Sequence, residues 1–468
     1  MAGQKRYICV HSHFYQPARG NPLSDEPLRE PTAAPFENWN ERVTAECYTP
    51  NAEIGNLELI SFNIGETLAS WLAENAPDTY QAFIQADRKN VEKHGVGTAI
   101  AQGMHHTVLP LDRREDKHTQ VQWGKAVFAN RFGRQPEGMW LPEMAVDLET
   151  LEVLVDNGID WTILTESQVI GKPAGAGPFW VDLPNRKRIK VFVRDQGLSD
   201  DIAFNLGNFG GAGRWAREVL TQRRRYAGLL TLIAVDGETF GHHWSGEEQF
   251  LHWLLTYEAQ AAGYEVVTLS QFARMLEPIY TIRIRENTAW SSSHGLARWA
   301  TGSPDTQGSS YWKGALRRAL DNLRWRVDDV YRREAESIGV EEPLQLRDAY
   351  IRVVLGYVKP SEFLRSQEVD VNGGDAKRLL QLVEAQYFRQ RMYTSCAFFF
   401  DDLDDLSTRY GIASAAEAIR LTEEASGVDL SEDFRRDLSI AVDHTAESSD
   451  ITGADIYDEV RAEITGSA

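Results

Sequence analysis

Over roughly the first 280 residues, short runs rich in β-branched and aromatic residues alternate with longer helix-like segments. The candidate strands are residues 6–13, 96–102, 161–165, 189–194, 229–235 and 265–268. Helix-like stretches, such as residues 148–157 and 247–261, lie between several of them. This alternation is typical of parallel strands joined by crossover helices. It predicts an α/β fold, and the uneven strand spacing favours a distorted barrel over a regular eight-fold one.

Beyond about residue 290 the pattern becomes helical. The candidate helices are residues 314–336, 345–356, 376–394 and 413–425. We therefore predict three parts: a catalytic barrel over residues 1–280, an α-helical domain packed on it over residues 281–445, and an acidic tail over residues 446–468. The tail is rich in small residues, and we expect it to be poorly ordered.

Charge and composition exclude several classes of function. The formal net charge of −20 argues against nucleic acid as a partner, because phosphate binding requires a clustered cationic surface. No apolar run approaches the roughly 18 residues of a membrane span, so no membrane association is expected. The N-terminus lacks the apolar stretch of a secretory signal, and three widely spaced cysteines fit free thiols in a reducing compartment. A cytoplasmic location is expected.

Polar side chains gather where the candidate strands end. In parallel α/β folds the carboxyl ends of the strands meet on one side, so these side chains are expected to converge on one site. In chain order they are His11, His13 and Gln16, then Gln102 and His106, then Glu143, then Asp195, and finally Asp236, Glu238 and His242.

Two of these carboxyl groups suit the cleavage of a glycosidic bond. That chemistry requires one ionised carboxylate and one carboxyl that stays protonated. Glu143 and Asp236 both follow apolar runs that would desolvate a neighbouring acid. A purely structural role remains open for each, since Glu143 could stabilise the dipole of a following helix and Asp236 could form a turn with Gly237.

These motifs together resemble glycoside hydrolase family 57. The strand end with His11, His13, Gln16 and Pro17 is similar to the first motif of that family, with Phe14 and Tyr15 lengthening the spacing. Residues 140–143, Trp-Leu-Pro-Glu, are similar to the context of its nucleophile. Residues 236–242 are similar to the segment that begins with its acid/base Asp.

The second motif of the family matches only in part. His106 and Pro110 fit it, whereas Gln102 stands where an acid is common. Gln102 can still donate and accept a hydrogen bond, although it carries no charge.

The resemblance extends to a branch of the family with an additional C-terminal helical domain of unknown function. Residues 290–295, Arg298, Trp299 and residues 392–396 are similar to that domain. Residues 39–42, 46–48, 61–65 and 131–134 extend the similarity through the barrel. The resemblance therefore covers nearly the entire chain.

The resemblance implies a distorted seven-fold (β/α) barrel and a retaining enzyme that acts on α-glucan, as a hydrolase, a glucanotransferase or a branching enzyme. Glu143 would be the nucleophile and Asp236 the general acid/base, with no cofactor and no metal. The predicted partner is an α-glucan or maltooligosaccharide. The predicted substrate-binding residues are His11, His13, Gln16, Gln102, His106, Trp140, Asp195, Glu238, His242, Trp290, His294 and Trp299.

Some of these roles have alternatives. Asp195 either orients a substrate hydroxyl or fixes Arg194, and Glu238 is expected to support the catalytic groups rather than react. The segment of residues 290–299 either folds over the barrel mouth or forms a packing seam between the domains.

Two rival functions remain open. The first is a metal-dependent polysaccharide deacetylase, with imidazole ligands from His11, His13, His242 and His243. That reading gives Glu143 no role, and metal analysis of the purified protein separates it from the glycosidase. The second is a catalytically silent glucan-binding protein, which an activity assay on maltooligosaccharides and glycogen would distinguish.

Overall fold

The computed structural model describes residues 5–18, 29–171, 174–223, 228–306, 309–443 and 451–466 of the chain. Over these residues the chain forms two compact units. Among the described residues, the first consists of residues 5–17, 29–103 and 128–290, and the second of residues 18, 104–127 and 291–466, apart from the gaps named above. The segment Met104–Val127 therefore belongs to the helix-rich second unit, although in sequence it lies inside the stretch predicted as the barrel.

The strands of the described residues follow one another along the chain. They are β1 (Tyr7–Phe14), β2 (Ser61–Ile64), β3 (Ala101–Gln102), β4 (Met139–Trp140), β5 (Trp161–Thr165), β6 (Val169–Ile170), β7 (Phe179–Asp182), β8 (Arg188–Arg194), β9 (Leu230–Asp236), β10 (Glu265–Val266), β11 (Thr281–Ile284), β12 (Val442–Asp443) and β13 (Ile451–Thr452).

The helices fall into an early, interleaved set and a late, nearly continuous set. They are α1 (Trp39–Val43), α2 (Thr49–Glu53), α3 (Glu66–Asn75), α4 (Pro77–His94), α5 (Arg114–Phe132), α6 (Leu148–Asp156), α7 (Gln196–Asn205), α8 (Ala212–Trp215), α9 (Thr221–Arg223), α10 (Glu248–Trp253), α11 (Ala259–Ala261), α12 (Leu269–Met275), α13 (Ala297–Ala300), α14 (Tyr311–Ser337), α15 (Pro343–Ala349), α16 (Ile351–Val354), α17 (Pro360–Ser366), α18 (Gly373–Arg391), α19 (Cys396–Phe399), α20 (Leu406–Ser426), α21 (Ser431–Leu438) and α22 (Gly453–Gly466).

Seven of these strands form a ring of parallel strands in the first unit. β1 pairs with β9 on one side and with β2 on the other. β2 connects to the β3 segment through the parallel bridge between Phe62 and Ala99, and β3 pairs with β4. A parallel bridge between Gly138 and Trp161 leads on to β5, which pairs with β8. The order around the ring is therefore β9, β1, β2, β3, β4, β5 and β8.

Backbone hydrogen bonds from Asp195, which directly follows β8, and from Ala176 to β9 close the ring. The N–H of Asp195 donates to the carbonyl of Leu232 (2.8 Å). Ala176 fills the space between the two strands, since its N–H donates to Leu230 (3.0 Å) and its carbonyl accepts from Val193 (2.9 Å). Closure of a sheet into a barrel removes its exposed edges. The predicted distorted seven-fold barrel is confirmed.

The interior of the barrel is packed with apolar side chains from alternate strand positions. Successive side chains of a strand point to opposite faces, so residues two apart share the interior. Cys9 on β1, Ile163 on β5 and Leu232 on β9 belong to one buried cluster, together with Trp140 and Phe192. By the same alternation, the polar residues at the carboxyl ends of these strands point to the same side as the apolar residues of the interior.

The second unit is helical and contains a buried charged network. Asp116 contacts the guanidinium groups of Arg347 (2.9 Å) and Arg389 (2.8 Å), and all three side chains are buried. Burial alone would raise the pKa of the Asp116 carboxyl, but the two guanidinium groups lower it below its ordinary value. Removal of one partner from such a network would leave an uncompensated buried charge.

The C-terminal tail differs from the sequence-based expectation of poor order. In the described residues it forms β13 and α22. Ile456, Tyr457 and Val460 are buried, and the Tyr457 ring packs edge-on against Phe434 (5.2 Å between centroids). The segment is ordered because one face of α22 is apolar and packs against neighbouring residues, although its overall composition is acidic and rich in small residues. Residues 444–450 and 467–468 lie outside the described residues.

Close approach of β4 and β5 depends on the absence of a side chain at Gly138. A Cβ at this position would lie 2.5 Å from the indole of Trp161, which is fully buried. We predict that Gly138→Ala lowers the stability of the barrel by about 1–3 kcal/mol, because the buried indole cannot move aside. Thermal unfolding measures this. Gly374→Ala is the control, because a Cβ there meets nothing within 4 Å, and equal melting temperatures of the two variants would contradict the prediction.

Candidate active site

One residue from each barrel strand lies at or near the carboxyl end of that strand, and strand pairing places several of them side by side. His13 on β1 is paired with Asp236 on β9 and with Asn63 on β2. Gln102 is paired with Trp140, and Thr165 with Arg194. We name this set the mouth ring: Asp236, His13, Asn63, Gln102, Trp140, Thr165 and Arg194.

Asn63 links the two predicted histidines to Gln102. Its Oδ1 lies 3.1 Å from His11 Nε2, and its Nδ2 lies 2.9 Å from His13 Nδ1. Nδ2 also donates to Gln102 Oε1 (2.7 Å), while His11 Nδ1 lies 3.2 Å from Ser61 Oγ. Burial lowers the pKa of both His11 and His13 to about 3, so both imidazoles are neutral near pH 7.

The two imidazoles stack on Trp140. The ring centroids of His13 and Trp140 are 4.6 Å apart with an interplanar angle of 14°, and His11 lies 5.1 Å from the same indole. Trp290 meets Trp140 edge-on at 5.1 Å. Trp140 is fully buried, so the histidines cover the ring that the sequence analysis expected to stack on a sugar. Trp290 is only half-buried and keeps exposed surface.

Arg194 is a buried cation at the mouth ring. Its Nε donates to Thr165 Oγ1 (2.9 Å), its Nη1 to the carbonyl of Ala234 (3.0 Å), and its Nη2 to Asp200 Oδ1 (3.2 Å). Its guanidinium carbon lies 5.2 Å from the centre of the Trp290 ring. Desolvation lowers its pKa, but an arginine remains charged at any physiological pH.

Asp236 has the electrostatic character of a proton donor. It keeps some contact with solvent at the mouth, yet the protein around it desolvates the carboxyl and raises its pKa to about 7. The charge of Glu143 raises this pKa further, and Arg194 opposes the increase. A general acid works best when its pKa lies near the operating pH.

Glu143 lies in a short turn directly after β4 and is buried. Its backbone has φ 57° and ψ 17°, and Met144 also has a positive φ of 46°. Non-glycine residues seldom adopt this left-handed conformation, which costs about 1 kcal/mol or more and persists where neighbouring contacts enforce it. Here the carbonyl of Glu143 accepts from the N–H of Trp290 (3.1 Å), and that of Met144 accepts from Gln168 Nε2 (2.7 Å).

Glu238 lies two residues after Asp236, in the short turn that follows β9, and is a second buried acid of this segment. The hydroxyl of Tyr48 donates to its Oε1, and Gln16 Nε2 lies 3.4 Å from the same atom. Burial, and next the charge of Asp236, raise the pKa of Glu238 to about 8. Glu238 is therefore mainly protonated near neutral pH, and it connects Gln16 to the segment that carries Asp236.

Two predicted residues of the first unit, His242 and Asp195, contact residues outside the mouth ring. His242 Nδ1 lies 2.5 Å from Glu46 Oε2, and Arg42 Nε donates to the other oxygen of Glu46 (2.9 Å). Asp195 caps the N-terminus of α7 by accepting from the N–H of Leu198 (3.0 Å). This capping role was not among the alternatives that the sequence suggested.

Three predicted substrate-binding residues belong to the second unit. His106 Nδ1 lies 2.7 Å from Ser395 Oγ, and His106 has a positive φ of 54°. His294 Nδ1 lies 3.0 Å from Asp305 Oδ1. Trp299 is fully buried, which leaves it no exposed face for a sugar ring.

Three residues of the site were not predicted from the sequence: Asn63, Arg194 and Tyr48. Asn63 could have been found from the alternation of β2, in which Ser61 and Asn63 share the face of the buried histidines. Arg194 ends an apolar strand in the same way as the predicted residues do. Tyr48 contacts Glu238 across 190 positions of sequence, and no local pattern indicates such a contact.

The described residues contain no group of three or more His, Cys, Asp or Glu side chains arranged as a metal site. Among the same residues, no helix combines the length and the apolar character needed to cross a bilayer.

The fold and the position of the mouth ring define the class: an enzyme built on a distorted (β/α)7 barrel with its polar residues at the carboxyl ends of the strands. Residues 4–285 match the family model of glycosyl hydrolase family 57, and the chain belongs to that family. Residues 309–465 match a domain of unknown function, DUF3536. The resemblance drawn from the motifs is confirmed.

Curated relatives match over part of their length. An alpha-amylase of Pyrococcus furiosus is 25% identical over 252 residues, which are 51% of this chain and 36% of the relative. Alpha-amylase 1 of Dictyoglomus thermophilum is 24% identical over 109 residues, 23% of this chain and 15% of the relative. The chain thus spans no more than about a third of the curated relatives it matches.

Solved structures share the fold. An exo-type maltose-forming amylase from Pyrococcus sp. ST04 superimposes with a TM-score of 0.70 at 18% identity, covering 90% of this chain and 80% of that one. A family 57 branching enzyme from Pyrococcus horikoshii gives a TM-score of 0.60 at 16% identity, covering 99% and 95%.

The environment of Asp236 predicts a pH-dependent effect on stability. The raised pKa means that ionisation of Asp236 destabilises the folded chain progressively from about pH 4, its unfolded pKa, up to about pH 7. Asp236→Asn removes the charge. We expect the variant to match the wild type near pH 4 and to exceed its free energy of unfolding above pH 7, by no more than about 4 kcal/mol because solvent at the mouth screens the charge.

Thermal or denaturant unfolding across this pH range measures the difference. Asp370→Asn, at an exposed position, is the control and should leave the pH dependence unchanged. A constant offset between Asp236→Asn and wild type at every pH would show that Asp236 is not perturbed.

Proposed function

We propose that this chain is a retaining glycoside hydrolase or transglycosylase that acts on α-glucan, with Glu143 as nucleophile and Asp236 as general acid/base. The observation that carries the proposal is the unlike pair of acids at the barrel mouth. Asp236 is desolvated enough to hold a proton near neutral pH, and the negative charge of Glu143 contributes to that retention. Retaining cleavage needs this combination of an ionised and a protonated carboxyl group.

The reaction proceeds in two displacements. In the first, a carboxylate oxygen of Glu143 attacks the anomeric carbon, the glycosidic C–O bond breaks, and the Asp236 proton passes to the departing oxygen. A glycosyl ester on Glu143 results. In the second, ionised Asp236 takes a proton from water or from a sugar hydroxyl, whose oxygen displaces Glu143 from the anomeric carbon. Water gives hydrolysis, and a sugar hydroxyl gives transfer.

A direct attack of this kind requires the two carboxyl groups to lie about 5–5.5 Å apart, since the wider gap of about 6.5–9.5 Å belongs to inverting enzymes. The left-handed backbone at Glu143 supports the proposal, because such conformations cluster at functional sites.

The surroundings of the acids suit a neutral polyhydroxylated substrate. His13 and Gln102 are uncharged hydrogen-bonding groups near pH 7. Behind them, both ring nitrogens of the neutral His11 contact Ser61 and Asn63, and His11 is proposed to orient Asn63. The half-exposed indole of Trp290 offers an apolar surface for the faces of a sugar ring. His13, Gln102 and Trp290 are proposed to bind the sugar at the point of cleavage.

Relatives and structural neighbours include proteins named as amylases and a branching enzyme. Their names support α-glucan as the substrate class. Hydrolysis, disproportionation and branching share one glycosyl-enzyme and differ in the acceptor. Analysis of the products formed from amylose, scoring α-1,6 branches against shorter and longer linear chains, distinguishes the three.

The rival reading as a metal-dependent deacetylase finds little support in the imidazoles. Both ring nitrogens of His11 lie within hydrogen-bonding distance of Ser61 or Asn63, and His242 contacts Glu46. Ligation of a metal by His11 would break one of these buried contacts. Stoichiometric metal in the purified protein would favour the deacetylase.

Replacement of either acid tests the assignment of roles. Asp236→Asn is expected to lower kcat on maltooligosaccharides by about 10²–10⁴-fold, the range for loss of a general acid/base. Glu143→Gln is expected to abolish turnover while leaving binding of the sugar intact, because it removes only the nucleophile. Glu92→Gln, on the exposed surface of α4, is the control. If wild type binds glucans without turnover, the silent binding protein is the correct reading.

The pH dependence of the wild-type enzyme provides a separate test. Since Asp236 must be protonated to act as acid, kcat/KM is expected to fall as pH rises through about 7. The expected fall is tenfold per pH unit well above that value. Initial rates from pH 5 to 9 measure it, and a profile that is flat across this range would rule out Asp236 as the acid.

A further inference from the structure

A pocket of about 610 Å³ lies within the second unit, apart from the residues of the mouth ring. One wall is a stripe of α14 that contains Trp325, Asp328, Asp329 and Arg332. Asp328 and Asp329 each lie three or four positions from both Trp325 and Arg332, so the four side chains share a face of the helix. The other walls come from α18 and from the start of α15. The volume falls within the range of pockets that bind small molecules, about 300–1,000 Å³.

Polar groups that line this pocket lack partners. Gln386 is 1% exposed, and its Nε2 has no hydrogen-bond partner among the described residues. In the same part of the chain, Arg324 Nε and Asp328 Oδ1 are buried and likewise unpartnered. These three atoms are closed off from solvent, so a ligand in the pocket would not reach them. The polar groups that a ligand can contact are more exposed side chains of the lining, among them Asp329 and Arg332.

The charges of the pocket lining balance. Four arginines and four carboxylates line it, and several are paired with each other, such as Arg113 with Glu115 (2.8 Å) and Arg332 with Asp329 (3.1 Å). A phosphate or another ion would gain little from a balanced lining. A neutral ligand with many hydroxyl groups can both donate to the carboxylates and accept from the guanidinium groups.

An aromatic surface lies beside these polar groups. Trp325 is 64% exposed and Leu344 is 45% exposed, although both line the pocket. A large exposed indole is unusual in a charged stretch of helix, and its flat apolar face suits the C–H face of a sugar ring.

From this combination we infer that the pocket between α14, α15 and α18 is a second saccharide site, which binds a neutral oligosaccharide with Trp325 beneath a sugar ring and the paired Asp329 and Arg332 hydrogen-bonded to its hydroxyls. The identity of that saccharide as an α-glucan rests on the proposed function. A site of this kind holds a polymeric substrate independently of its cleavage.

Titration of maltoheptaose into the full chain tests the inference. The Glu143→Gln background prevents consumption of the sugar, and calorimetry gives the number of molecules bound. We expect two molecules per chain in this background. After the further change Trp325→Ala, the affinity of the second site should fall at least tenfold, so that one molecule binds over the same range of sugar concentration. Trp253→Ala is the matched control, since Trp253 is 56% exposed and does not line the pocket; that variant should bind two.

Turnover separates this inference from the proposed function. With active enzyme, Trp325→Ala should keep kcat/KM on maltotriose within about twofold and should weaken retention on immobilised glycogen. Stoichiometry and affinity unchanged by Trp325→Ala would overturn the second site, whatever the enzyme turns over. Conversely, binding that depends on Trp325 in a chain without activity on any glucan would retain the site and reject the proposed function. Competition by inorganic phosphate would contradict the neutral character of the ligand.

Discussion

The register of the parallel strands around β1 is the constraint on which the active-site arrangement depends. Hydrogen bonding of β1 to β2 and to β9 fixes His13 level with Asn63 and with Asp236. A slip of one residue between neighbouring strands would turn every side chain of the slipped strand to the opposite face. The buried interior prevents such a slip, because it would exchange Leu232 and Ala234 for the outward-facing set and bury the wrong volume. The same packing that stabilises the barrel therefore sets the geometry of its mouth.

Desolvation at the mouth of the barrel favours the uncharged form of each ionisable group. It raises the pKa of the Asp236 and Glu238 carboxyls and lowers that of the His11 and His13 imidazoles, so four groups tend toward the uncharged form. Arg194 remains cationic and opposes the increase at Asp236. The balance of these effects leaves Asp236 able to exchange its proton near neutral pH.

The boundaries of the long apolar strands could be predicted from the sequence, whereas the short strands β2 and β4 could not. Residues 6–13, 161–165, 189–194 and 229–235 correspond to β1, β5, β8 and β9 within one residue at each end. β2 and β4 span four and two residues, too few for a periodic pattern, and they owe their strand conformation to the neighbours with which they pair. Local pattern also indicated which residues end each strand, whereas partners such as Tyr48 and Asn63 depend on contacts 39 to 190 positions apart.

Residues of the second unit lie within the sequence of the first, and this limits where the chain can be truncated. Met104–Val127 is folded with the helices that follow residue 290, where Asp116 meets Arg347 and Arg389 and the indole N–H of Trp123 donates to the carbonyl of Asp348 (2.8 Å). A polypeptide ending near residue 290 would retain Asp116 and Trp123 without any of these partners. The Trp123 indole would then lose its hydrogen bond to Asp348, and the Asp116 carboxylate would lose its two guanidinium partners. The helices that follow residue 290 therefore bury and neutralise side chains of residues 104–127.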